Sequence, residues 1–107
     1  MKTREEFEAM VAPIRDDLMS GAAEIALQAI TIFRTVIAES ETQDVNKLKE
    51  TLVETAKAVI KAQPAMAPLF HLGNTVLIAV QNATTVSELK ESCDDALEKF
   101  EKKLCES

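Results

Sequence analysis

His71 is the single histidine of a 107-residue chain, and it stands in an apolar run with Leu69, Phe70 and Leu72. An imidazole can ligate a metal or carry a proton. A metal site, however, needs further His, Cys or carboxylate ligands at matching spacing, and none stands near His71 in sequence. An imidazole inside an apolar helix is therefore read as a hydrogen-bonded core residue. The paired carboxylates Asp16-Asp17 and Asp94-Asp95 are neighbours in the chain. Adjacent helical positions point about 100° apart, so neither pair can flank one scissile bond, and both read as solvated. Cys93 and Cys105 are twelve positions apart on one predicted helix. That is roughly 18 Å at 1.5 Å per residue, far beyond the span of a disulfide. Cys93 falls on the apolar stripe of that helix and reads as a small hydrophobe, while Cys105 lies in a lysine-rich tail. No Ser/His/Asp set, phosphate loop or CxxC motif occurs. No catalytic residue, metal ligand or cofactor is assigned.

Two interrupted stretches pass this filter. Ser20-Gly21-Ala22-Ala23 opens a predicted helix. Unpaired amide hydrogens and the helix dipole at such an end can hold an anion. Gly21 would let a ligand or another backbone come close, although a plain cap at Ser20 with a packing glycine behind it explains the same residues. The second stretch runs from Gln63-Pro64 to Gly73-Asn74 and carries two prolines, a glycine, the histidine and an asparagine in apolar surroundings. Gly73 inside a helix costs about 1 kcal/mol relative to alanine, which a close helix–helix crossing would explain.

The elements that must position these residues are all helical. Thr3-Arg4-Glu5-Glu6 fits a capping box for a first helix, and Pro13 should kink or break that helix, with Ile14 and Leu18 continuing its face. A second helix follows Gly21 to about Glu39. Asp44 is the expected N-cap of a third, whose stripe runs through Leu48, Leu52, Ala56 and Val59. Gln63-Pro64 ends it, because the residue before proline is pushed out of the helical region. The fourth helix should start near Met66, tolerate Pro68 in its first turn and run to about Gln81. It is apolar almost all the way round and is expected at the buried centre. Thr85-Val86-Ser87-Glu88 is a second capping box, opening a helix that turns Val86, Leu89, Cys93, Leu97, Phe100 and Leu104 inward. No window alternates with period two, so the expected fold is all-α, a single bundle of about five helices spanning 1–107.

Composition sets the outer bounds. Hydrophobic residues make up 47% of the chain and charged residues 28%, which is enough apolar material for one core without staples. A net charge of -6 argues against direct binding of nucleic acid, which needs clustered Lys and Arg. The stretch from Ala65 to Val80 is shorter than the roughly 20 residues that span a bilayer and includes His71 and Asn74. The N-terminus lacks the apolar core of a signal peptide, so a cytoplasmic protein is expected.

The two interrupted segments, in this order and about forty residues apart, resemble the N-terminal helical domain of the translation initiation factor 2B alpha/beta/delta superfamily. That superfamily includes ribose-1,5-bisphosphate and methylthioribose-1-phosphate isomerases. The isomerase branch looks like Arg-Gly-Ala-Gly followed by an Ile-Ala helix, where this chain has Ser20-Gly21-Ala22-Ala23-Glu24-Ile25-Ala26. Its second motif resembles Arg-Pro-Thr-Ala with a later Leu and Asn, where this chain has Gln63-Pro64-Ala65-Met66 and then Leu72-Gly73-Asn74. The resemblance implies ligand-binding positions at Ser20, Gly21, Ala22, Ala23 and Gln63, gathered at one shared mouth. Both phosphate-gripping arginines of the isomerase pattern are replaced, by Ser20 and Gln63, and neutral groups bind phosphate more weakly than a guanidinium. The isomerases' catalytic Cys and Asp lie in a Rossmann-like domain, for which 107 residues leave no room. The resemblance therefore implies a non-catalytic domain that serves subunit association or forms one wall of a phosphometabolite cleft. Its partner would be a second copy of the chain, giving a homo-oligomer, or a Rossmann-like domain. The alternative is the N-terminal portion of a sugar-phosphate isomerase whose catalytic half is absent.

Overall fold

A computed structural model describes residues 4–16, 21–64 and 66–106. Among them are five helices and no strand: α1 (Arg4–Asp16), α2 (Ala22–Glu39), α3 (Val45–Ala62), α4 (Ala67–Asn82) and α5 (Val86–Glu106). Thr3, Asp17, Leu18, Met19 and Ser20, on which parts of the sequence reading fall, lie outside the described residues, as does Ala65.

The helix starts follow from local chemistry. Asp44 caps α3, its carboxylate accepting the Asn46 amide at 2.9 Å. At α5 the Thr85 hydroxyl accepts the Glu88 amide at 3.1 Å. The return arm of that capping box reaches one residue further back than expected: Glu88 Oε2 accepts from the Thr84 amide at 3.3 Å and the Thr84 hydroxyl at 3.2 Å. Pro68 sits in the first turn of α4, where its missing amide hydrogen costs nothing. α1 runs unbroken through Pro13 to Asp16, so the proline does not divide the helix. With only three residues of α1 beyond it, few bonds are at stake.

Two helix ends are closed by side chains from elsewhere in the fold. α2 has no basic residue in its last turn. Lys90 of α5 supplies one, donating from Nζ to the Ser40 carbonyl at 3.2 Å. The carbonyls ending α1 receive the Gln63 amide from the end of α3.

α4 packs against α3, α5 and α2, while α1 lies against α2 and α3. Ile25, Ile30 and Phe33 of α2 meet Leu48, Leu52 and Val59 of α3, Leu69, Leu72 and Val76 of α4, and Leu89 and Leu97 of α5 in one core. Among the described residues Thr55 is the buried polar side chain, and its hydroxyl donates to the Thr51 carbonyl at 2.8 Å. Gly73 is buried where α4 meets α3: a Cβ there would lie 2.7 Å from Cδ1 of Ile60. This is the close crossing that its place inside a helix suggested. No described helix is long and apolar enough to cross a membrane.

Candidate functional site

Gly21 is the N-cap of α2, with an extended backbone (φ -73, ψ 167) and no side-chain cap bond. Its carbonyl accepts the Ile25 amide at 3.1 Å, closing the first turn. Any residue adopts that backbone, and a Cβ built on Gly21 meets nothing within 4 Å. Among the described residues, then, neither a turn nor a neighbouring helix requires the glycine. The side chains of Ala23 and Glu24 behind it are exposed.

Gln63 follows α3 as its C-cap residue and turns toward α1. Its Nε2 donates to the Ile14 carbonyl at 3.0 Å and to the Arg15 carbonyl at 3.3 Å. The side-chain amide thus donates to two carbonyls at the end of α1, and Gln63 ties α3 to α1. Gly21 follows Asp16 by five residues, so the two lie within about 18 Å of each other by chain length alone. Ser20, the other half of the expected mouth, is outside the described residues. Beside Gln63, Arg15 pairs with Asp16 at 3.1 Å on the surface.

The remaining chemistry-bearing residues are dispersed. His71 is exposed rather than in the core: its position on α4 faces outward, and its ring meets the edge of Phe70 at a centroid distance of 6.1 Å. Among the described residues no group of three His, Cys, Asp or Glu could hold a metal ion. Asp94 and Asp95 are solvated as expected, Asp95 pairing with Lys99 at 3.1 Å. Cys93 is fully buried, and burial, with a smaller contribution from Asp94, pushes its thiol up to about 11. It is an inert core residue at neutral pH.

The initiation factor 2 subunit family model matches residues 18–107. The chain belongs to that family. The matched range covers both interrupted segments and all of α2 to α5, and begins after the end of α1. No curated protein and no solved structure matches the chain significantly. What the described residues contain of this initiation factor 2 subunit family protein is an all-helical bundle.

One feature of the family domain escaped the sequence reading. α4 is not enclosed on all sides: Phe70 is 52% exposed and Ile78 is 61% exposed, with Leu77 and Ala79 half-buried beside them. Ala67, His71, Gln81 and Asn82 share that outward side. α4 carries no Asp, Glu, Lys or Arg, alone among the five described helices. A signal was available: its uncharged polar residues His71, Asn74 and Gln81 recur at intervals of three and seven, marking one stripe that a wholly buried helix would not need.

Proposed function

We propose that this chain is a non-catalytic, cytoplasmic helical domain of an initiation factor 2 subunit family protein, and that its role is subunit association. The uncharged outward side of α4 carries this reading. Scattered exposed hydrophobics are ordinary, but Phe70 and Ile78 lie on one stripe with no charge along the whole helix. Interface centres are depleted of charge and enriched in aromatic residues, and this stripe has that composition. Light scattering over a rising concentration series tests the reading. Association predicts a mass above the 11.7 kDa of one chain, and a fixed 11.7 kDa throughout contradicts it.

The α2 entrance supports a second role as one wall of a phosphometabolite cleft. Gly21 supplies no side-chain cap to the first-turn amides there, and a Cβ built on it meets no described atom within 4 Å. Gln63 stands where the isomerase pattern has an arginine, and its amide is engaged by α1, so the phosphate grip here would rest on backbone amides. Thermal denaturation with ribose-1,5-bisphosphate checks this. A rise in Tm that is lost in Gly21→Asp supports the cleft, and no rise counts against it.

A further inference from the structure

We infer that α1 is a strap that opens as a unit, locked at its C-terminal end by Ile14 and Gln63, while α2 to α5 stay folded. The contacts among the helices divide the molecule in this way. Each of α2, α3, α4 and α5 touches the other three, whereas among the described residues α1 touches α2 and α3 alone. Phe33, Leu52, Leu72 and Leu97, one from each of α2 to α5, are fully buried in one core. From α1, Ile14 is the described side chain that is fully buried, with Met10 and Val11 packed partly buried against the core. Pro13 and Arg15 on either side of Ile14 are exposed. The family match over residues 18–107 spans the same four helices and begins after α1.

The two halves of the lock converge on one residue. The Ile14 side chain is in the core, and its carbonyl accepts the Gln63 amide at 3.0 Å, beside the Arg15 carbonyl at 3.3 Å. Gln63 belongs to the four-helix body: it ends α3, and its own carbonyl accepts the Met66 amide at 3.0 Å in the turn before α4. Both anchors therefore hold the last turn of α1, at the end that continues toward α2. Fraying starts at a free chain end and works inward. A lock at the joined end instead governs the whole helix. A helix of 13 residues is marginal in water by itself, and Pro13 removes one of its bonds. Once released from α2 and α3, α1 unwinds, so undocking and unwinding are one event. Opening uncovers the strip of α2 and α3 on which α1 lies. It leaves α4 and α5 in place, since α1 touches neither.

Native-state hydrogen exchange of the full chain tests the strap. The amides of Met10, Val11, Ala12 and Ile14 are expected to share one protection factor, at least about a hundredfold below those of Val76 in α4 and Leu97 in α5. Gln63→Ala should speed all four α1 amides roughly fivefold, the equivalent of one net hydrogen bond. It should speed Val76 and Leu97 as well, because global unfolding also breaks the lock. Cys93→Ala, in the buried face of α5, separates the two openings. It should speed Val76 and Leu97 at least about threefold and leave the α1 amides unchanged, since α5 stays packed when the strap opens. Equal protection in α1, α4 and α5, or a response of α1 to Cys93→Ala, would show a single cooperative unit and overturn the strap. Protection that falls steadily from Ile14 to Met10, with Gln63→Ala acting on Ile14 alone, would show fraying and overturn it too. So would α1 rates that Gln63→Ala does not move.

Discussion

Gln63 Nε2 lies 3.0 Å from the carbonyl oxygen of Ile14, across 49 positions of sequence, and 3.3 Å from that of Arg15. The contact closes the C-terminal end of α1 with the residue that ends α3. It also explains why a neutral amide suits this position. A helix end presents acceptor carbonyls, and the primary amide offers two donors without a charge that must be desolvated.

Gln63→Ala is expected to destabilise the fold by about 1 kcal/mol, the usual net value of such bonds in a half-buried site. Gln63→Glu should cost more near neutral pH, because its carboxylate faces two carbonyl oxygens with nothing to donate. Urea denaturation of the three proteins gives the order directly. Equal midpoints for all three would remove the link between α1 and α3 as a stabilising contact.

The α3–α4 crossing gives a second expectation. Gly73→Ala should gain about 1 kcal/mol of helix propensity, but its Cβ arrives 2.7 Å from Cδ1 of Ile60. Ile60→Val removes that methyl group and by itself costs about 0.5–1.5 kcal/mol. In a double-mutant cycle, Gly73→Ala should therefore be more favourable in the Ile60→Val background than in the native one. Strict additivity would mean that the crossing is looser than described.

Much of this architecture could be read from local patterns, because caps and stripes act within a few residues. Asp44, Thr85 and the apolar series of α3 and α5 needed no tertiary information. At Pro13 a kink or a break was expected, and α1 is not broken there: a proline removes one helical hydrogen bond without having to end the helix. His71 misled for a different reason. Apolar neighbours on either side suggested a core position, yet at 100° per residue they can point inward while the histidine faces water. The partner of Gln63 was invisible, since nothing in its own segment says that α1 ends beside it. At the family-like site, Gly21 was legible as a helix entrance, but not as the N-cap residue itself.

Cys93 supplies a pH test with a definite sign. Its thiol holds its proton to about 11 in the fold, against an ordinary 9.0. Between those values the folded state binds more protons than the unfolded one, so stability falls as pH rises through the window. Below pH 9 the thiol adds no slope. Denaturation midpoints of native protein and Cys93→Ala, compared from pH 8 to 11, should show a steeper alkaline decline in the native protein. Identical slopes would mean that the thiol ionises freely in the fold.

At the α2 entrance, Gly21→Asp should raise stability by a few tenths of a kcal/mol, through a side-chain cap and a favourable charge at the helix N-terminus. The added Cβ meets no described atom within 4 Å. Calorimetry reads the gain. A loss of stability would show that the open space or the extended backbone at Gly21 is needed by the fold.

Association through the outward side of α4 is tested most directly by sedimentation equilibrium of the native chain beside Phe70→Asp. The account predicts about twice 11.7 kDa for the native protein and 11.7 kDa for the variant, with equal helix content in both. The same mass for the two proteins, whether monomer or dimer, would contradict it.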